Sequence, residues 1–368
     1  MPTIRVAIAG ATGYAGEELI RLLLQHPHIR LTHLAASAKW VHPRPAADVF
    51  PRFAGRLDLP VESLDPTRLA SSSDAVFLAM PHGESMRLVP ALLQAGKRII
   101  DLGGDFRLKD PALYPRWYTF EHAAAQWLGH RDVAYGLTEF HREEIQRAKL
   151  VANPGCYATS ILLGCLPLFL YGIAEDNRFI VDAKSGLTGA GKKNETKLFF
   201  AEMSGNLRAY KVNEHHQMPE VLQEIERLTR CKPLMAFVPQ VIPVSRGLMS
   251  TLYVRTRRKL DEVYDAFRHA YPSSSAPFVR VRPMALPELK DVVETNFCDI
   301  GITYDPSTEY LIVMSAIDNL TKGAAGQAIQ NFNLMHGFPE PPRSSDALGA
   351  RGSDGGEGIQ SGGRERGH

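Results

Sequence analysis

Three glycines spaced by two residues, Gly10, Gly13 and Gly16, stand between an apolar run (Ile4 to Ala9) and a helical stretch (Glu17 to Gln25), with a second apolar run at Leu31 to Ala36. This order predicts strand, tight turn, helix and strand, and so commits the N-terminal part of the chain to a βαβ unit in a parallel α/β sheet. Small residues at such a turn let backbone N–H groups at a helix N-terminus approach a pyrophosphate. Glycine spacing alone is weak; its place at the first strand-to-helix turn favours a dinucleotide site over a plain Gly-rich turn. Further apolar runs, Ala75 to Met80 and Arg98 to Leu102, end in Pro81-His82-Gly83 and Gly103-Gly104-Asp105, which reads as parallel strands with functional loops at their carboxyl ends.

After the second strand come Ser37, Ala38 and Lys39, where an NAD-preferring protein carries a carboxylate for the ribose 2′-hydroxyl. Ser37 and Lys39 can hold a 2′-phosphate by hydrogen bond and charge, so NADP(H) is expected over NAD. Read without that context, Lys39 is a solvated surface charge.

The 368 residues suggest roughly two domains, each on the order of 150 residues. The texture changes near residue 150, where Leu150 to Tyr157 leads into a mostly apolar segment, Ala158 to Leu170, read as a buried helix ended or kinked at Pro167. The expected division is 1–150 for nucleotide binding and 151–318 for catalysis, the latter an α+β domain with a mixed sheet. Strand-like runs at Phe179 to Asp182, Met249 to Arg255 and Tyr310 to Ser315 carry that sheet, and Ala324 to Met335 is helical again. Residues 339–368, rich in Gly, Ser, Arg and acidic side chains, are expected to be a disordered tail.

With 42 basic against 40 acidic side chains, the net charge of +2 favours neither nucleic acid nor a membrane surface, and small-molecule ligands are expected. No window approaches the ~18 to 20 apolar residues of a membrane span, and the start reads as a strand rather than a signal peptide, so a cytoplasmic enzyme is expected. Four cysteines without CxxC pairing, Cys156, Cys165, Cys231 and Cys298, fit neither a disulfide framework nor a metal site.

Cys156 is the exception in its setting. It follows Asn153-Pro154-Gly155, a turn able to present a side chain, and precedes the apolar segment, which puts its sulfur at a helix N-terminus expected to favour the thiolate. A lone cysteine is more often a small core residue; the turn and the dinucleotide loop together reverse that reading. Chemistry on a carbonyl also needs a group that moves protons near neutral pH, and His215 and His216 are the conspicuous candidates, although adjacent histidines can be plain surface polarity. Arg246, in a loop before a strand, could clamp a carboxylate or serve as an ordinary surface charge.

Six segments in order carry a resemblance: Gly10-Ala-Thr-Gly-Tyr-Ala-Gly16, Leu78-Ala-Met-Pro-His-Gly83, Asp101-Leu-Gly-Gly-Asp-Phe-Arg-Leu108, Asn153-Pro-Gly-Cys-Tyr-Ala-Thr159, Lys184-Ser-Gly-Leu-Thr-Gly-Ala-Gly191 and Ala316-Ile-Asp-Asn-Leu-Thr-Lys-Gly323. Over about residues 3 to 338 the chain resembles the N-acetyl-γ-glutamyl-phosphate reductases of arginine biosynthesis, within the aspartate-semialdehyde dehydrogenase-like group. The resemblance implies an NADPH-dependent acyl-phosphate reductase with Cys156 as covalent nucleophile and His215 as acid/base. It places Ser185, Gly186, Asn319 and Lys322 near the nicotinamide or the reacting group; taken with the readings above, the expected coenzyme contacts are Gly10, Thr12, Gly13, Tyr14, Ala15, Gly16, Ser37, Lys39, Pro81, Gly186, Asn319 and Lys322, and the expected substrate contacts are Asn153, Ser185 and Arg246. It further implies a homo-oligomer and a C-terminal helix, about 319–338, returning to the first domain. One departure stands out: family members usually read His-Arg-His before the Pro-Glu pair, whereas this chain reads His215-His216-Gln217 before Met218-Pro219-Glu220, which leaves His216 as an alternative acid/base. Two rivals remain at this stage, the same chemistry on N-acetyl-α-aminoadipyl phosphate or its carrier-linked form in lysine biosynthesis, and a non-catalytic NADP-binding regulatory protein.

Overall fold

The computed structural model describes residues 3–192 and 195–340. Strands β1 (Ile4–Ala9), β2 (Ile29–Ala35), β3 (Arg44–Pro45), β4 (Pro60–Glu62), β5 (Ala75–Leu78), β6 (Arg98–Asp101), β7 (Val133–Tyr135) and β8 (Leu150–Ala152) form one sheet in the order β3-β4-β2-β1-β5-β6-β8-β7. All its pairings are parallel except the short β3–β4 edge. Val6 to Ala9 and all of β5 are buried without alternation, as strands covered on both faces must be. Helix α1 (Tyr14–Leu23) follows β1 directly, giving the predicted βαβ unit.

The second sheet runs β10-β11-β9-β12-β15-β14-β13, with β9 (Arg178–Ser185), β10 (Arg208–Ala209), β11 (Leu234–Val241), β12 (Leu248–Arg255), β13 (Val279–Arg282), β14 (Cys298–Asp305) and β15 (Tyr310–Ile317). It is mixed: β11 lies parallel to β9, while β12 is antiparallel to both β9 and β15. Burial alternates along β9, β11 and β12, so one face packs on the core and the other faces outward. The inner face holds helix α2 (Cys156–Leu170), whose Ile161, Leu162 and Leu166 share a cluster with Val181, Phe237, Leu252 and Val313.

Three expectations need correction. Strand β8 pairs with both β6 and β7, so the passage between sheets falls after Ala152 rather than at residue 150. Pro167 does not end α2, which continues to Leu170. The carbonyl it deprives of a backbone donor, that of Leu163, instead accepts the Tyr271 hydroxyl at 2.6 Å, which removes the cost of an orphaned buried acceptor. Residues 339 and 340 are packed rather than disordered: the Pro339 carbonyl accepts the Asn333 amide at 3.1 Å, and Glu340 pairs with Arg142 at 2.5 Å. The rest of that expected tail, 341–368, lies outside the described residues.

Helix α3 (Met218–Thr229) precedes β11 in the second domain, and after β15 the chain makes a π-helical turn, Thr321–Ala325, and enters α4 (Gly326–His336). Helix α4 returns to the first sheet, where Phe332 and Met335 join Ile8 and Phe77 in one core. The two sheets are thereby tied at both ends of the second. Among the described residues no helix is long and apolar enough to cross a membrane.

Candidate active site

The Gly-rich turn closes on itself in a way other residues would block. A Cβ at Gly10 would fall 2.2 Å from the Ala79 carbonyl oxygen at the end of β5, and one at Gly16 would fall 2.3 Å from the Gly10 oxygen. Gly10 also has φ +82°, a region that costs other residues strain. Gly13 is the N-cap of α1, and no side chain caps that end, which leaves the first-turn N–H groups to an anion. Thr12, Tyr14 and Ala15 form the half-buried rim; Ser37 and Lys39 stand exposed beyond β2, and Pro81 beyond β5. These positions share the carboxyl end of the parallel sheet, and an uncapped helix over a glycine cradle fits a dinucleotide pyrophosphate.

Two buried carboxylates fix the neighbouring loops. Asp105 accepts the Gly83 and Met86 N–H groups at 2.7 and 3.0 Å, and Asp101 accepts the Ser85 hydroxyl and the Gly103 N–H at 2.7 and 2.9 Å. Burial raises both carboxyls above their ordinary range.

Cys156 is the first residue of α2, with Gly155 as N-cap. Its thiol is nevertheless pushed above its ordinary value, because burial outweighs the opposing pull of the Tyr157 N–H, the Arg107 charge and the Gln217 side chain. The helix terminus is where the sequence placed it, but the resting group is a thiol rather than the expected thiolate.

The turn carrying the sulfur is held from beneath. Glu220, fully buried, accepts the Gly155 N–H at 2.9 Å and the Tyr135 hydroxyl at 2.7 Å. Arg107 donates to the Asn153 carbonyl at 2.8 Å and to the Leu102 carbonyl at 2.8 Å, with its remaining terminal nitrogen 3.6 Å from Glu220. From above, the π-helical turn presses Gly323 on the cysteine, where a Cβ would lie 2.7 Å from Cys156 Cβ. None of Arg107, Glu220 and Gln217 was singled out as a site residue in the sequence. The signal available was a charge inside a recurring segment, Asp105-Phe-Arg107, and another in Pro219-Glu220 at the start of a helix.

The two imidazoles divide between the layers. His215 and His216 stack with ring centres 4.4 Å apart. His215 then meets Tyr157 at 5.2 Å and Tyr210 at 5.7 Å on the sulfur's side, whereas His216 meets His82 at 5.0 Å and Tyr118 at 5.3 Å on the nucleotide side. Burial, reinforced by Lys211, His82 and Arg107, lowers His215 to about 3, and burial together with His215 lowers His216 well below its usual value. Both rings are neutral at physiological pH. His215 Nδ1 accepts the Gln217 N–H at 3.3 Å, which assigns its proton to Nε2.

Several expected contacts lie elsewhere. Arg246 is no free clamp: its donors reach Glu18 at 3.0 Å, Asp318 at 2.8 Å and Thr321 at 2.9 Å, which binds α1 to the segment after β15. Asn153 is fully buried, with its side-chain amide on the Ala324 carbonyl and its oxygen on Asn331, so it anchors the turn instead of meeting substrate. Lys322 is also fully buried, with its ammonium paired with Glu139 at 2.7 Å and Gln330 at 2.8 Å. Ser185 donates to the Gly186 carbonyl at 3.2 Å, and Asn319 bridges the Gly247 N–H and the Thr188 hydroxyl at 2.8 and 2.9 Å, which shapes the Gly186 loop from within.

Residues 5–148 match the semialdehyde dehydrogenase NAD-binding domain and residues 156–319 the semialdehyde dehydrogenase dimerisation domain. An N-acetyl-gamma-glutamyl-phosphate reductase from Bacillus cereus is 44% identical over 340 residues, 92% of this chain and 97% of that protein. One from Halothermothrix orenii is 42% identical over 341 residues, 92% of this chain and 96% of that one. Among solved structures, aspartate semialdehyde dehydrogenase II from Vibrio cholerae superposes with a TM-score of 0.67 at 19% identity, covering 91% of this chain and 98% of that one, a likeness of fold.

Proposed function

Because the chain belongs to the N-acetyl-gamma-glutamyl-phosphate reductase family, we propose that it reduces N-acetyl-γ-glutamyl phosphate to N-acetyl-glutamate 5-semialdehyde through a covalent bond at Cys156. The single observation that carries this route is the sulfur itself, at the first residue of a helix, with Glu220 holding the N–H of the residue before it and Gly323 pressed against it.

The Cys156 sulfur attacks the acyl carbon, the bond from that carbon to the phosphate oxygen breaks, and the thiol's proton leaves on the released phosphate. A thioester remains on the enzyme. NADP(H) is the coenzyme, and its reduced form supplies the hydride for that thioester. Gly10, Gly13 and Gly16, with the N–H groups of Tyr14 and Ala15, hold its pyrophosphate; Ser37 and Lys39 receive the 2′-phosphate; Pro81 and Gly186 border it. His215 offers its Nε2 proton to the carbonyl oxygen, where negative charge develops in both stages. An arriving phosphate dianion raises the basicity of a buried neutral imidazole, which equips the histidine pair to take up a proton only when substrate is present. When the carbon–sulfur bond breaks, the aldehyde departs and the thiolate takes up a proton from solvent to replace the one that left with phosphate.

The setting is read as cytoplasmic and the assembly as a homo-oligomer; the outward face of the second sheet, where Ile180 and Leu234 are exposed, lies within the segment matching the dimerisation domain. Neither rival is favoured: the relatives carry the glutamyl name, and a regulatory protein has no need of so tightly built a cysteine turn.

The test is the reverse reaction, phosphate-dependent reduction of NADP by N-acetyl-glutamate semialdehyde, with NAD and the aminoadipate semialdehyde as comparisons. The expected result is turnover that requires phosphate, prefers NADP and disappears in Cys156→Ser. Retention of more than about a hundredth of the parent rate in that variant sinks the covalent route.

A further inference from the structure

Gln217 occupies the position where the sequence departs from the usual family pattern, and its side chain lies against the reactive turn. A Cβ at Gly155 would sit 2.2 Å from Gln217 Cδ, 2.3 Å from Oε1 and 2.5 Å from Nε2, so the flat amide fills the space that the missing side chain of Gly155 leaves. The two residues are complementary: any larger residue at 155 would expel the amide. Gln217 is itself buried, and Oε1 accepts the Ala158 N–H of the first turn of α2 at 3.1 Å. That bond settles which way the amide points. With the oxygen engaged by a backbone donor, only Nε2, a group with two protons and no acceptor capacity, is left free, 2.5 Å from where a Gly155 Cβ would stand and so one residue before the sulfur.

Resting on the reading of Cys156 as nucleophile, we infer that Gln217 is a fixed, uncharged hydrogen-bond donor to the Cys156 sulfur that holds the thiolate when it forms. Its chemistry differs from that of an imidazole at the same place. An imidazole accepts or donates according to its tautomer and gains a charge as pH falls, whereas an amide clamped by Ala158 presents the same donor at every pH. A hydrogen bond to the charged form of a thiol favours that form, and here it acts with the Tyr157 N–H and the Arg107 charge against burial. Proton movement is left to the His215–His216 stack, and thiolate retention to a group that never titrates. The same amide explains the glycine before the cysteine: Gly155 is needed for the room it leaves at the sulfur, not for an unusual backbone angle, since its φ is −71°.

The test follows alkylation of Cys156 by iodoacetamide across pH, read on the Cys156 peptide by mass spectrometry so that Cys231 does not interfere, in the full-length parent, Gln217→Met and Gln217→Glu. Met keeps the volume and loses the donor; Glu keeps the shape and places an acceptor and a charge against the sulfur. The expected result is an alkylation midpoint about one pH unit higher in Met, with a rate at pH 8 about tenfold lower, and a larger shift in Glu. Unaltered midpoints in variants that melt cooperatively overturn the inference. If Met unfolds, the isosteric Glu variant decides alone by the same midpoint. Failure of the covalent route is recognised separately, by activity surviving in Cys156→Ser.

Discussion

Glu220 accepts the N–H of Gly155 at 2.9 Å, one residue before the reactive sulfur, while its other oxygen lies 3.6 Å from the guanidinium of Arg107. A buried carboxylate and a buried cation thus meet under the cysteine, and they act on its thiol in opposite directions, Arg107 lowering and Glu220 raising its pKa. Burial raises the Glu220 carboxyl itself, with Arg107 as its chief counterweight.

Glu220→Gln separates those effects. The substitution preserves shape but leaves Arg107 without its ionic partner, so stability should fall by about 3 kcal/mol or more. The thiol should move the other way from instability: with one nearby negative charge gone, its alkylation midpoint should drop below the parent's. Urea unfolding and pH-dependent alkylation read the two consequences, and a midpoint that rises contradicts the reading that the Glu220 charge raises the thiol's pKa.

Arg246→Ala distinguishes a structural rivet from a substrate clamp. In the parent, burial pushes the Glu18 carboxyl up, but Arg21 and Arg246 outweigh it and hold Glu18 down to about 2. Removing Arg246 leaves Glu18 with Arg21 alone and takes the cation from the fully buried Asp318, so the variant should be destabilised by about 3 kcal/mol or more. KM for the acyl phosphate should change little in the folded fraction. A variant as stable as the parent but with KM raised tenfold or more would restore the substrate role.

Much of the fold was legible because strands buried on both faces and a glycine turn at the first crossover leave few alternatives. The helix start at Cys156 was legible through its turn. What escaped was any property decided by distant segments meeting. The protonation of Cys156 could not be read from a helix N-terminus, since that gives only one opposing influence and burial is set by Gln217, Gly323 and Arg107 arriving from three other places. Arg246 and Lys322 look like ligand-binding cations in a linear motif; only the folded chain reveals that Glu18, Asp318 and Glu139 already engage them. Asn153 is turned inward onto Ala324 and Asn331, which its place in the Asn-Pro-Gly-Cys turn does not reveal.

The pH dependence of stability has a marker at the last residue of α4. His336 is lowered to about 4, first by burial and then by the nearby Arg98, while His26 also lowers it and Asp74 raises it; its ring stacks on Phe338 at 5.9 Å and meets Phe332 at 4.4 Å. Since the unfolded chain takes up a proton near 6.5 that the folded state refuses until about 4, this residue withdraws stability as pH falls through that interval and has no such effect above it. His336→Phe abolishes the linkage while keeping a ring for the stack. Parent and variant should be of similar stability at pH 7.5, and the difference should turn increasingly in the variant's favour toward pH 5 in urea unfolding. A difference independent of pH would show that His336 titrates alike in both states. The variant should retain the parent's kcat.

Gly323→Ala probes whether the sulfur's position, as distinct from its charge, limits the reaction. The new methyl would lie 2.7 Å from Cys156 Cβ, 3.2 Å from its Cα and 3.3 Å from the Asp318 carbonyl oxygen, and these are rigid atoms with no flexible side-chain end to yield. The π-helical turn or the start of α2 must therefore shift by several tenths of an ångström. Overpacking of this kind costs about 1 to 3 kcal/mol, which a chain of this size should survive. A nucleophile displaced by even a fraction of an ångström loses much of its advantage from preorganisation, so kcat should fall at least about tenfold. NADPH affinity, measured by fluorescence titration, should stay within about twofold, because the glycine turn at residues 10–16 is untouched. Parental kcat in a folded Gly323→Ala protein would mean that the contact between the two turns is slack, and that the placement of Cys156 does not depend on the return of the C-terminal segment.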